Sequence, residues 1–378
     1  MCYIGVKLFE NKLFMKLIIA TGISGCGRKE YLSKWAKYCE QHGKKVKVYH
    51  VGEMMFQLAD SMGLKLNKDN ILNVETDMLH VLRTSVLNRI LAELSDDVNY
   101  DAVIICIHGF FYWKSVFRRA FDKFLNKFGT DIFITFIDDF RSVIRRLGNR
   151  HQWRHENLTD KEVLCWQNVE VEVTASLAQF ADKSFFAIPT AARDTLLYKL
   201  IFHPEIEPVY ITMPISHFRG PEQRKIIDDF VEKLDQYFAV FNPLSVEVIG
   251  AIFIDAEKSK SEVNDFTVER HVVYRDESWF VGQAQKIIAY WPEAKCPGAV
   301  KKYPELEKIW PKAISSPGMN HESHTAFTHT KDVWVIFRGN EASPFIASYN
   351  TRKDLFYSEE DFFAFLDQEY PDRKSMEW

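Results

Sequence analysis

A chain of 378 residues is too long for one ordinary core and suits two domains of ~100–200 residues each. Its 47% hydrophobic and 14% aromatic content is enough for packed cores, and no low-complexity stretch reads as disorder. With 48 basic and 52 acidic residues well mixed and a formal net charge of −4, the chain lacks the electrostatic footprint of a nucleic-acid or anionic-membrane binder, so a small-molecule partner is expected.

Apolar runs such as Leu17–Ala20 fall far short of the ~20 residues of a membrane span, and the N-terminus lacks a signal-peptide pattern. A cytoplasmic protein is expected. Six cysteines (Cys2, Cys26, Cys39, Cys106, Cys165 and Cys296) show no Cys/His metal spacing, which predicts reduced, mostly buried thiols and no metal site built from them.

Residues 1–14 read as an upstream extension, because the first interpretable element is an apolar strand over Lys16–Thr21. It runs into Gly22-Ile23-Ser24-Gly25-Cys26-Gly27-Arg28-Lys29, a glycine-rich turn, and then a helix with Leu32, Trp35, Ala36 and Cys39 on one face, ending at Gly43. Strand, glycine loop and helix are the setting of a P-loop, in which Gly22, Gly25 and Gly27 turn backbone N–H groups toward phosphate oxygens. The strict pattern wants Lys and then Ser/Thr after the last glycine, where this chain has Arg28 and Lys29. Arg28 is expected to hold a phosphate, but Lys29 cannot supply the hydroxyl that ligates Mg²⁺. The blander reading, a tight strand-to-helix turn with no ligand, stays open.

Further strands are predicted at Val46–Tyr49, Ala102–Ile107 and Ile132–Ile137, alternating with helical period such as Met78–Leu91. Alternation of this kind predicts a parallel sheet flanked by helices. Cys106 stands where a second, acidic Mg²⁺-organising residue is expected.

Gly22–Leu32, the run Val48–Met55 and the arginines Arg145, Arg146, Arg150 and Arg154 resemble the archaeal-type adenylate kinase family over roughly residues 15–200. The resemblance implies a P-loop kinase-like domain over 1–204, a lid carrying the later arginines, and ATP with Mg²⁺ as the cofactor. The replacements at Arg28, Lys29 and Cys106 argue against phosphoryl transfer while leaving nucleotide binding. A solvated helix face is the other reading of the arginine cluster.

Pro189, Pro204 and Pro208 punctuate the chain and place a boundary near 204–208. A fresh strand over Val209–Met213 ends in the polar loop Pro214–Pro221, followed by an amphipathic helix to about Tyr237. Next come a strand over Ser245–Ile254, a helix holding Arg275, Asp276 and Trp279, and a strand over Lys286–Tyr290. A helix opening at Ser316 and a strand over Asp332–Phe337 complete a smaller Rossmann-like α/β domain over 205–350. A helical tail over 351–378 carries Ser358 and Asp361 as an N-cap pair. Ser316 suits N-cap, Pro317 suits N1, and Gly318 leaves room for an anion at the helix start.

The ordered set of Tyr210, Met213-Pro214-Ile215, Arg275-Asp276-x-x-Trp279 and Ser316-x-Gly318-x-x-x-Glu322 resembles the nucleoside 2-deoxyribosyltransferase superfamily. It is closest to the branch of 2′-deoxynucleoside 5′-monophosphate N-glycosidases. The resemblance implies Glu322 as nucleophile at the anomeric carbon and Asp276 as the acid that assists base departure or holds the sugar. It also implies that Ser316, Gly318, Ser216 and Arg219 hold the 5′-phosphate, and that Tyr210 lines the base or sugar pocket. No cofactor is implied for glycosidic cleavage, and a homodimer or higher oligomer is. Met213-Pro214-Ile215-Ser216 is nearer the transferase pattern than the hydrolase one. Base exchange, residual kinase activity beside the hydrolase, and a nucleotide sensor without turnover therefore remain as alternatives.

Overall fold

The computed structural model describes residues 15–67, 70–96, 99–121, 123–215, 221–246, 267–293, 302–305, 313, 316–339, 342–376 and 378. The chain divides into unit 1, Met1–Asp194, and unit 2, Thr195–Trp378.

Unit 1 carries strands β1 (Lys16–Thr21), β2 (Val46–His50) and β3 (Ala102–Cys106), a hairpin of β4 (Phe110–Trp113) and β5 (Val116–Arg119), then β6 (Ile132–Ile137) and β7 (Ser184–Pro189). Its helices are α1 (Arg28–Gln41), α2 (Val51–Ser61), α3 (Thr76–Asp96), α4 (Phe140–Gly148) and α5 (Asp160–Phe180). Five strands form one parallel sheet in the order β2-β3-β1-β6-β7. Parallel strands are covered on both faces, so β1, β3 and β6 are near-continuous apolar runs instead of alternating ones. Leu17 and Ile19 of β1 and Val103 and Ile105 of β3 pack in one core with Leu82, Val86 and Ile90 of α3. The predicted helical stretch Met78–Leu91 lies inside α3. The hairpin was not predicted from the sequence: its aromatic strands are only four residues each, and the turn is made by Lys114 and Ser115 in left-handed backbone instead of by glycine.

Unit 2 follows the start of α6 (Asp194–Phe202), ahead of Pro204 and Pro208. It contains β8 (Pro208–Thr212), α7 (Pro221–Leu234), β9 (Ala239–Phe241) and α8 (Thr267–Tyr274), which runs on as a π-helical stretch, Arg275–Val281. Then come β10 (Lys286–Trp291), α9 (Pro317–Thr328), β11 (Asp332–Phe337), α10 (Pro344–Tyr349) and α11 (Glu359–Glu369). Four strands pair in parallel in the order β11-β10-β8-β9. Of the strand expected over Ser245–Ile254, Ser245 instead ends a 3₁₀ turn, Pro243–Ser245, capped by Asn242 after the short β9, and 247–254 lie outside the described residues. Phe362 and Leu366 of α11 are wholly buried with Phe230, Ile288 and Tyr290, so the C-terminal segment contributes to the core of unit 2. Ser358 caps that helix by accepting from the Asp361 N–H at 3.0 Å. No helix among the described residues is long and apolar enough to cross a membrane.

Candidate functional site

Each unit places a group of polar side chains at the C-terminal ends of its parallel strands, where open α/β sheets bind ligands. In unit 1, β1 leads into a turn in which Gly25 and Gly27 hold left-handed backbone, φ 84° and 86°. Gly22 is required for space, since a Cβ there would stand 2.9 Å from the Phe136 carbonyl oxygen. Gly27 caps α1, and the loop opens into a cavity of about 590 Å³ lined also by His50, Glu53, Arg83, His108 and Arg150.

Arg28 lines this cavity, but its Nη1 donates to the carbonyls of Ala20 (3.1 Å) and Ile107 (2.7 Å), bracing the ends of β1 and β3. Lys29 meets Glu53 of α2 at 2.5 Å. Cys106 ends β3, buried, with its thiol pushed up to about 11 by desolvation against the opposing pull of Arg28. His108 is held well below the usual imidazole range, first by burial and then by Arg28, with Arg83 and Arg150 adding to it. Its Nδ1 has no hydrogen-bond partner among the described residues.

Of the four arginines read as a lid, Arg150 lines the cavity, while Arg145 and Arg154 are exposed. Arg146 grips the loop: it donates to the Gly25 carbonyl at 2.8 Å and pairs with buried Asp138. Burial raises Asp138, and Arg146 opposes that shift.

Sequence reasoning missed Glu170. This side chain is fully buried in α5, and its carboxylate accepts from the backbone N–H of Gly22 (3.0 Å), Gly109 (2.8 Å) and Phe110 (2.7 Å). The signal was present as polar residues at helical spacing on an apolar face. Gln167 accepts from the Asp138 N–H, Glu170 fixes the loop, and Thr174 meets Thr21 at 2.7 Å.

The ATP–Mg²⁺ expectation can be tested against these residues. The cradle and its cations suit phosphate, but the hydroxyl position is an ammonium and the strand-end acid is a neutral thiol. Among the described residues no cluster of three or more His, Cys, Asp or Glu side chains is arranged to hold a metal. The loop and its cations suit phosphate, while the two positions that usually recruit Mg²⁺ carry Lys29 and Cys106.

In unit 2, Tyr210 and Thr212 stand two residues apart on β8 and so share a face. The Tyr210 hydroxyl donates to Glu322 Oε1 at 3.1 Å, and the Thr212 hydroxyl donates to Oε2 of the same carboxylate. Tyr210 is wholly buried and stacked on Phe280 at 5.9 Å. Its ring lies inside the core, and its hydroxyl faces the Glu322 carboxylate, beside which the base or sugar pocket is expected. Thr212 carried no sequence signal, being one hydroxyl inside an apolar strand.

Glu322 projects from α9, which starts at extended Ser316 with Pro317 in the first turn. Ser316 occupies the N-cap position without making a side-chain cap bond, and among the described residues only the Ser316 Oγ, at 3.7 Å, lies near a Cβ built on Gly318. Asp276 lies in the π-helical stretch, a geometry common at functional sites. Arg275 and Asp276 are both buried, with Arg275 Nε 2.8 Å from Asp276 Oδ1. Burial raises Asp276 above the ordinary carboxylate range, and the Arg275 guanidinium opposes the shift. The π-helical stretch packs against α9, and Glu277 pairs with His321 between them, so the two acid-bearing segments meet. Ser216 and Arg219 lie outside the described residues.

Residues 21–164 match the family model of the AAA domain. Solved structures similar to the chain include shikimate kinase from Acinetobacter baumannii in complex with shikimate, at 13% identity and TM-score 0.33, covering 52% of this chain and 99% of that one. Shikimate kinase from Bacteroides thetaiotaomicron is similar at 15% identity and TM-score 0.27, covering 46% and 86%. Deoxyadenosine kinase from M. mycoides, with dCMP and dCDP bound, is similar at 12% and 0.27, covering 50% and 98%. No curated protein matches the chain in sequence. The strand, glycine turn and helix of unit 1, set in a parallel five-stranded sheet, have the arrangement of a P-loop domain.

Proposed function

We propose that unit 2 hydrolyses the N-glycosidic bond of a nucleoside 5′-monophosphate, with Glu322 as nucleophile, and that unit 1 binds a nucleotide. The observation that carries this reading is one carboxylate gripped at both oxygens by strand hydroxyls, from Tyr210 and Thr212, beside a segment holding a second, buried acid. Departure of the base develops oxocarbenium character at C1′, and a carboxylate with fixed oxygens traps it as a glycosyl ester. The C1′–N bond breaks as the C1′–O bond to Glu322 forms. Asp276, raised by burial, gives its proton to the leaving base. Water then cleaves the ester, returning Glu322 as carboxylate and a proton to Asp276. The N–H groups that open α9, with Ser316, suit the 5′-phosphate.

The test is release of free base from a panel of nucleoside 5′-monophosphates, followed by chromatography. Glu322→Ala is expected to nearly abolish release, and Asp276→Ala to lower it ~10²–10⁴-fold. Release undiminished by Glu322→Ala would falsify the assignment. The stretch Met213-Pro214-Ile215 favours base exchange as a second reading, which requires product only when an acceptor base is added.

A further inference from the structure

We propose that unit 1 holds the phosphates of a nucleotide without a divalent cation, the Lys29 ammonium taking the place of the metal's charge. The glycine loop, the start of α1 and the 590 Å³ cavity form the site, and its position at the strand ends is that of a phosphate cradle. Two positions that recruit Mg²⁺ in P-loop proteins are replaced. The hydroxyl after the phosphate-binding cation is Lys29, and the β3-end acid is Cys106, whose raised thiol stays neutral. A hard cation demands oxygen ligands, and neither residue supplies one.

The charge balance points the same way. An ammonium for a hydroxyl adds a positive charge, and a thiol for a carboxylate removes a negative one. Together they shift the site by about two units, the charge of the cation they replace. Lys29 is positioned to act: it lines the cavity, with Glu53 holding its ammonium between the first turns of α1 and α2. That pair is more than a third exposed on both sides, so it is weak, and a multiply charged phosphate displaces it.

The remaining cations converge. Arg28, Arg83 and Arg150 all line the cavity, and all three depress His108, which places their fields on one imidazole. Burial keeps that imidazole neutral, with its Nδ1 unpaired among the described residues, so it offers a polar contact without adding a charge of its own. Glu30 and Glu53 are the acids that line the cavity, both on first helical turns.

The experiment is isothermal titration of the full chain with ADP, once in EDTA and once in excess Mg²⁺. Affinity in EDTA is expected to equal or exceed that in Mg²⁺, since the cation competes with Lys29 for the same oxygens. Lys29→Ala is expected to weaken binding roughly tenfold or more, and Lys29→Arg to retain it within about threefold. Lys29 is exposed, so its variants fold, and their circular dichroism and melting curves check that. Binding only with Mg²⁺, a tightening of about tenfold or more on adding Mg²⁺, binding unchanged in Lys29→Ala, or no binding by the folded chain would each overturn the proposal. The titration does not depend on base release, so its failure and that of the glycosidase reading are separable.

Discussion

Thr212→Val is the most informative single change in unit 2. Valine matches threonine in shape, so the 0%-exposed site on β8 keeps its packing while one donor to Glu322 disappears. A hydrogen bond to a charged group contributes about 1.5–3 kcal/mol, and each ~1.4 kcal/mol is a factor of ten, so kcat/KM for base release should fall roughly 10- to 150-fold. Tyr210→Phe removes the donor on the other oxygen and should cost a similar factor. Because both hydroxyls orient one carboxylate, the double variant should lose less than the product of the two. Thr212→Ser restores the hydroxyl and most of the activity. The assay is steady-state base release, with circular dichroism confirming the fold. A folded Thr212→Val variant within about threefold of the parent would refute the claim that Glu322 acts through this orientation.

Three further outcomes follow from buried groups. Asp276 is raised in the folded state, so its contribution to stability is present below the unfolded carboxylate pKa and is lost as pH rises through the higher folded value. Arg275→Met removes the opposing charge, so the variant's melting temperature should fall more steeply than the parent's as pH rises, and the basic limb of base release should move to higher pH. Equal slopes would show that Arg275 does not act on Asp276. Site-resolved alkylation at mildly basic pH should modify exposed Cys165 well before Cys106, whose thiol stands near 11, or Cys26, also raised by burial; early loss of Cys106 would contradict its burial. Glu170→Ala strands three backbone N–H groups at ~1–3 kcal/mol each, a large share of the ~5–15 kcal/mol that holds a domain, so the denaturant midpoint of unit 1 should drop sharply; an unchanged midpoint would show that water replaces the carboxylate.

Much of the architecture was legible because parallel strands leave a plain sequence trace. Lys16–Thr21, Ala102–Cys106 and Ile132–Ile137 are short apolar runs separated by helical period, and their burial on both faces is the cause of that pattern. Glycines at positive φ made the turn after β1 legible too. What stayed hidden was anything depending on partners far apart in the chain. Thr212 gains its place from Glu322, 110 residues away, and Glu170 gains its place from Gly22, 148 residues away. Arg275 and Asp276 could be named from sequence, but their joint burial in a π-helical stretch could not.

Two glutamates show how surroundings set the freedom of the same group. Glu170 and Glu322 both lie at the C-terminal ends of parallel strands on helices that cover the sheet. Glu170 is 0% exposed, and three backbone N–H groups converge on it, so its charge is spent on joining the ends of β1 and β3. Glu322 is only half-buried and receives two hydroxyls, which fix its oxygens yet leave it accessible. Backbone donors cannot withdraw when a substrate arrives, whereas hydroxyls rotate and can follow a carboxylate as it forms and loses an ester bond. Under the proposed function, the hydroxyl variants around Glu322 are therefore expected to report on reaction, while those around Glu170 report on folding of unit 1.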